Sequence, residues 1–208
     1  MKSYLKWGGV VAAAVLIVFG AGAIVVGVNG RSTVRSSLKQ EQIVGSPDMT
    51  ASGIAAEAKK AGLPASITLP TADIAGKTID TGSLARSFAS YMRIHALEAS
   101  GGLTYSQLSR YATADGKGTN DATKAQVGPT GQPLDNPVRN VWISETALST
   151  ALNTSYMAEQ LALFGIVVGV ALLLTGIGFL VLTLGGALRG RGVIAIAKPG
   201  ARAEPAAV

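Results

Sequence analysis

The chain has 208 residues, of which 48% are hydrophobic and 14% are charged, and it contains no cysteine. The absence of cysteine excludes disulfides, thiolate metal sites and cysteine nucleophiles. The net charge of +6 is not arranged as a basic stripe with interleaved aromatic residues, so the sequence does not favour nucleic acid as a partner.

The first element is an apolar run without charge, Gly8 to Val28. About 20 helical residues cross the apolar core of a bilayer, so residues 8–28 are predicted to form a first transmembrane helix after a short segment, residues 1–7. A cleaved signal peptide is the alternative, because Ala21-Gly22-Ala23 resembles a cleavage site. The apolar run continues past that site, which favours an uncleaved anchor.

Residues 29–160 are predicted to form a mainly helical domain. The first helix either runs on through Arg31–Ile43 as a stalk or breaks at Gly30. Asp48 has the residue type and position of an N-cap for a short helix over Met49–Ala61. Residues 63–79 are expected to be extended or to form a loop, with at most one short strand.

Further along the domain, Ser83–Ala99 has apolar residues on one helical face and is predicted to be a helix. Ala112–Pro133, rich in Gly, Asp, Asn and Thr, is predicted to be a surface loop. Asn136-Pro137 has the pattern of an N-cap followed by proline at the first helical position. From there one long helix is expected to run into the second apolar segment, Leu161–Leu188.

This second segment, residues 161–188, is predicted to be the second transmembrane helix, and residues 189–208 form a basic tail. Positive charge flanks both spans, at Lys2 and Lys6 and again at Arg189 and Arg191, whereas the domain between them is nearly neutral. Short positively charged flanks remain on the cytoplasmic side. The expected fold is therefore an all-α membrane protein with two antiparallel spans, cytoplasmic termini and an extracytoplasmic domain.

Small residues four apart in the spans allow two helices to approach closely, because packing replaces the hydrophobic effect inside lipid. The simplest interpretation is that the two spans pack against each other within one chain. Self-association or a partner subunit is the alternative. The predicted helix-packing residues are Gly165, Gly169 and Gly176 in the second span and Ala23 and Gly27 in the first.

No set of residues matches a catalytic, cofactor or metal motif. His95, the only histidine, is interpreted as a core or rim residue. Asp115–Asp121 fails both the calcium-loop and the phosphate-loop patterns and is interpreted as a solvated loop. Val141, Leu148, Leu152 and Tyr156 recur at helical spacing, with Trp142 beside them. The residues predicted to pack the domain or to contact a partner are Trp142, Leu148, Leu152 and Tyr156.

The stretch VRNVWISETALSTALNTSYMAEQL over residues 138–161, the apolar segment after it and the Gly45-Ser-Pro-Asp-Met49 turn resemble a family of uncharacterised actinobacterial proteins with two transmembrane helices. The resemblance implies a bacterial plasma membrane location and a similar architecture. It implies no activity.

The function expected from these features is that of a non-enzymatic accessory or scaffold protein whose outer domain binds another membrane or envelope protein. The expected partners are membrane lipid and either a protein partner or further copies of the chain in a homo-oligomer. The alternative is an outward-facing ligand-binding or sensory module. An enzyme of an unrecognised type is the third possibility.

Overall fold

The computed structural model describes residues 2–185, and the regular elements in that range are all helical. The regular elements are α1 (Lys2–Gln40), α2 (Ala51–Lys60), α3 (Gly82–Ala99), a 3-10 turn (Ala122–Lys124) and α4 (Val138–Leu184). The described range has isolated β-bridges but no strand, so the all-helical prediction is confirmed. The short strand considered for residues 63–79 is reduced to one bridge, between Val44 and Thr78.

Helix α1 passes through Gly30 without a break, so the stalk alternative is the correct one. It ends where Gln42 adopts a left-handed conformation with φ of 53°. The long helix predicted after Asn136 is also present. The side chain of Asn136 accepts a hydrogen bond from the backbone N–H of Val138 (3.1 Å), and 47 residues of α4 follow, about 70 Å of helix.

Both α1 and α4 contain segments long and apolar enough to cross a membrane, and only 11% of the most apolar window of each is buried. The second span is predicted to extend to Leu188, whereas α4 is described as far as Leu184. The last three residues of the predicted span and the tail over 189–208 lie outside the described residues.

The chain divides into two compact units, which we call the terminal unit (Met1–Gly22 with Val168–Val208) and the central unit (Ala23–Val167). In the described part of the terminal unit the buried positions carry small residues, such as Ala13 and Gly176. Large apolar side chains, such as those of Val18 and Phe19, are exposed.

The central unit has a conventional apolar core. Helix α2 packs against α3, and the largest buried side chains are those of Tyr91, Ile54, Ile74, Ile79 and Ile94. The hydroxyl of Tyr91 donates a hydrogen bond to the carbonyl of Ala72 (2.7 Å), which satisfies its only polar group. The core thus buries large groups without leaving that hydroxyl unpaired.

Asp48 does not cap α2, contrary to the sequence-based prediction. Thr50 is the N-cap, because its hydroxyl accepts a hydrogen bond from the N–H of Gly53 (2.9 Å). Both residue types favour this position, and the helix starts at Ala51, two residues later than predicted. Asp48 is therefore free of the cap and faces α3.

Candidate functional site

Glycine brings the two long helices together in the terminal unit. A Cβ atom added to Gly20 would lie 2.7 Å from the carbonyl oxygen of Gly169 and 2.7 Å from the backbone nitrogen of Leu173. One added to Gly176 would lie 2.8 Å from Cγ1 of Ile17 and 3.0 Å from the carbonyl oxygen of Ala13. Two helix backbones can approach this closely only where side chains are absent.

The same kind of contact occurs in the central unit. A Cβ atom on Gly27 would lie 2.6 Å from the carbonyl oxygen of Ala162. Gly165 lies against Ala23 less tightly, since an added Cβ would be 3.9 Å from the Ala23 carbonyl oxygen.

Gly20 is not among the predicted packing residues. The prediction rests on small residues four apart, whereas the buried small residues of α1 lie seven apart, at Ala13, Gly20 and Gly27. A seven-residue repeat is the pattern of helices packed as a coiled coil. The buried residues Gly169, Gly176 and Thr183 of α4 have the same spacing.

A buried carboxylate connects three helices within the central unit. Glu159 of α4 is 5% exposed and accepts hydrogen bonds from Nε of Arg31 (2.9 Å) and Nε of Arg35 (2.8 Å), both on α1. Its other oxygen accepts from the backbone N–H of Gly82 at the start of α3 (2.6 Å). The carboxylate thus contacts two guanidinium groups and the positive end of a helix dipole.

The contact between Glu159 and the start of α3 requires glycine at position 82. A Cβ there would lie 2.8 Å from Cα of Tyr156 and 2.9 Å from Oε2 of Glu159. The pattern of residues did not predict this cluster, because Arg31 and Glu159 are 128 positions apart and each looks like an ordinary exposed charge at the end of an apolar run.

A second polar cluster joins the turn before α2, α2 itself and α3. Nε2 of His95 lies 2.8 Å from Oδ2 of Asp48 and 3.5 Å from Oε2 of Glu57. The three side chains are partly buried, with 27–32% of each exposed. Nε2 itself is buried and makes no well-aligned hydrogen bond.

Both carboxylates of this cluster are directed at one imidazole. Partial burial raises the pKa of Asp48, but hydrogen bonding from Ser46 and the backbone, together with the charge of His95, lowers the pKa below its ordinary value overall. Asp48 is therefore ionised at neutral pH. These three residues could hold a metal ion, a possibility that spacing in the sequence did not suggest.

The four predicted interaction residues lie mainly inside the central unit. Trp142 and Leu152 are 3% and 2% exposed, and Leu148 packs against the same core. Tyr156 is partly exposed, with the guanidinium of Arg86 4.8 Å from the centre of its ring. Burial assigns Trp142 and Leu152 to the core and leaves them no surface to offer a partner.

An exposed face with arginine and aromatic character lies instead around the start of α4. The guanidinium of Arg139 lies 4.2 Å from the centre of the Tyr105 ring. Leu103, Tyr105 and Ile143 are 41–55% exposed. We call the surface formed by Leu103, Tyr105, Arg139 and Ile143 the Tyr105 face. Tyrosine and arginine are enriched in protein interfaces.

A polar cleft of about 490 Å³ lies between α3 and α4. Arg93 and Glu145 line it together with Ser149 and Asn153. Glu145 is only 5% exposed and accepts a hydrogen bond from the hydroxyl of Ser149 (2.7 Å). The cleft therefore presents one cation and one largely buried carboxylate.

The loop around Asp115 and Asp121 is exposed. Hydrogen bonds from Thr113 and the backbone of Lys117 lower the pKa of Asp115, and those from Thr123 lower the pKa of Asp121. Each carboxylate accepts hydrogen bonds from residues within its own turn, as in an ordinary solvated loop.

No family model, curated protein or solved structure matches this chain. The resemblance to two-span actinobacterial proteins therefore stays a prediction.

Proposed function

We propose that the protein is an integral plasma membrane protein with two antiparallel spans, and that its central part is an extracytoplasmic accessory domain for another membrane or envelope protein. The observation that carries the membrane assignment is the exposure of large apolar side chains along both apolar helices. Val18, Phe19, Val26 and Phe164 are 64–72% exposed. Apolar surface of this extent suits lipid and does not suit water.

Contacts within each unit support the antiparallel arrangement. In the terminal unit Ala13 meets Gly176, and the later residue Gly20 meets the earlier residue Gly169. In the central unit Gly27 meets Ala162, and Arg35 meets Glu159. Positions that increase along α1 meet positions that decrease along α4. The basic flanks support an orientation with both termini in the cytoplasm.

The accessory role rests on the Tyr105 face. Its exposed tyrosine and isoleucine and its partly exposed arginine have the composition of a protein interface, whereas Trp142 and Leu152 are buried in the core. Gly20, Gly27 and Gly176 contact the facing long helix of the same chain and are not available to a partner. We therefore place the proposed partner on the outer domain.

The test is extraction in a mild detergent at native expression level, followed by native gels and mass spectrometry. Wild-type protein is expected in a defined hetero-complex. Ile143→Asp, in the Tyr105 face, should dissociate it. Val127→Asp, at an exposed valine outside that face, should leave it intact. A wild-type protein found only as a monomer or homo-oligomer, or a complex that withstands Ile143→Asp, would contradict the accessory role.

A second candidate function, ligand binding, is favoured by the polar cleft. Arg93 and Glu145 offer opposite charges, which suits a small zwitterionic or amine-bearing solute. The test is thermal stabilisation of the full chain by a panel of amino acids and amines. Stabilisation that Glu145→Gln removes would support the ligand-binding module, and its absence across the panel would count against this function.

A further inference from the structure

We propose that Asp48, Glu57 and His95 form a binding site for a divalent transition-metal ion, with Zn²⁺ as the best-matched ion. One ligand atom from each side chain lies within 4.8 Å of the others. A tetrahedral zinc ion with bonds of about 2.0–2.1 Å separates its ligand atoms by roughly 3.3–3.4 Å. The 3.5 Å between His95 and Glu57 matches this value, and the 2.8 Å between His95 and Asp48 needs to widen by only about half an ångström.

The charges of the cluster fit a dication. Two carboxylates face one imidazole, and within residues 2–185 His95 is their only salt-bridge partner. A neutral imidazole leaves two negative charges close together, and a protonated one balances a single charge. A divalent ion balances both carboxylates and bonds directly to Nε2, which lacks an aligned hydrogen bond.

The residues next to each ligand are packed into the core. The residue after Asp48, Met49, is 2% exposed, and its carbonyl accepts a hydrogen bond from the N–H of Ile74 (3.0 Å). Glu57 precedes the buried Ala58 on α2, and His95 lies between the buried residues Ile94 and Ala96 on α3. Ligands held in this way lose little freedom when the ion binds.

The ligand types select among metals. Ca²⁺ and Mg²⁺ prefer sites made of oxygen alone, whereas an imidazole with two carboxylates suits Zn²⁺ and its transition-metal neighbours. Three protein ligands leave one position of a tetrahedral ion for water, and the partial exposure of all three side chains allows water to reach it.

The test uses the full chain in detergent, with any affinity tag removed, titrated with ZnCl₂ by calorimetry in excess Mg²⁺. One Zn²⁺ per chain is expected. Loss of outer-shell partners alone weakens metal affinity about 10–100-fold, so His95→Ala and Glu57→Gln should weaken it by at least about 100-fold. The matched controls Asp115→Asn and Asp121→Asn, in the solvated loop, should bind Zn²⁺ as the wild type does.

A second measurement needs no variant and therefore holds even if His95→Ala fails to fold. His95 is the only histidine, so ¹⁵N-histidine labelling reports a single imidazole. Addition of Zn²⁺ should shift its Nε2 resonance with the stoichiometry of the calorimetric titration. An unmoved resonance, or equal Zn²⁺ affinity in wild type and a folded His95→Ala, would overturn the proposal.

Discussion

The two units of this chain are packed in opposite ways. In the terminal unit the buried positions carry small residues such as Gly20 and Gly176, and large side chains such as Phe19 are exposed. In the central unit Tyr91 and Trp142 are buried. Water drives large apolar groups inward, whereas helices in lipid associate by close backbone packing. The contrast supports the proposal that lipid surrounds the terminal unit and that water surrounds the part of the central unit that holds the apolar core.

The two tryptophans give the largest expected difference. Trp142 is 3% exposed and Trp7 is 67% exposed. Trp142→Ala should lower the free energy of unfolding by about 3–5 kcal/mol, as loss of a buried aromatic side chain does, and it also removes the hydrogen bond to the Leu103 carbonyl. Trp7→Ala should have little effect. Thermal unfolding followed by circular dichroism measures both, and equal losses would contradict the contrast.

Substitution of Glu159 tests how much its ion pairs with Arg31 and Arg35 stabilise the central unit. Glu159→Ala leaves Arg31 and Arg35 without their carboxylate, and removing one partner of a buried ion pair costs about 3–5 kcal/mol. Those arginine side chains are 40% exposed, so solvent screening should place the result at the lower end of that range. Glu98→Ala, at an exposed position on α3, is the control. Its unfolding temperature should stay at the wild-type value, and an unchanged temperature for Glu159→Ala would refute the role of the cluster.

Two glycines on α1 lie on different sides of the helix: Gly20 on the side that contacts α4 and Gly22 on the side without contacts. An added side chain at Gly20 meets the backbone of α4, whereas one at Gly22 meets nothing within 4 Å. Gly20→Leu should destabilise the helix pair by about 1–3 kcal/mol, the usual cost of overpacking, and Gly22→Leu should be tolerated. Resistance to unfolding by denaturing detergent compares them. Similar resistance of the two variants would count against the glycine contact.

The smallest effect concerns the start of α2. Thr50→Ala should cost about 0.5–2 kcal/mol, because it removes the N-cap. Ser52→Ala, at an exposed position in the first turn, should cost less. Thermal unfolding again provides the measurement, and a larger loss for Ser52→Ala would reassign the cap.

The features of the fold that depend on residues close together in the sequence could be predicted. Apolar runs, the Asn136 cap and the helix over residues 83–99 each depend on neighbours within a few turns, and the structure has helices there. The seven-residue spacing of Ala13, Gly20 and Gly27 is also visible in the sequence, but the pattern of small residues four apart does not predict it.

The two polar clusters could not be predicted in the same way. Each brings together side chains from separate helices, such as Arg31 with Glu159 or Asp48 with His95. Only the packing of the helices decides that these residues meet, and no local motif encodes it. Asp48 has the residue type and position of an N-cap, so the sequence pattern assigns it to the start of α2. Its contact with His95 of α3 depends on how the helices pack.

The central claim is that two spans place residues 29–160 outside the cytoplasm, and the cysteine-free chain allows a direct test. Single variants Ser3→Cys, Thr130→Cys and Ala207→Cys would be treated with a membrane-impermeant maleimide in intact and in permeabilised cells. The account predicts that Thr130→Cys reacts in intact cells and that Ser3→Cys and Ala207→Cys react only after permeabilisation. Protection of Thr130→Cys, or reaction of either terminal cysteine in intact cells, would contradict it.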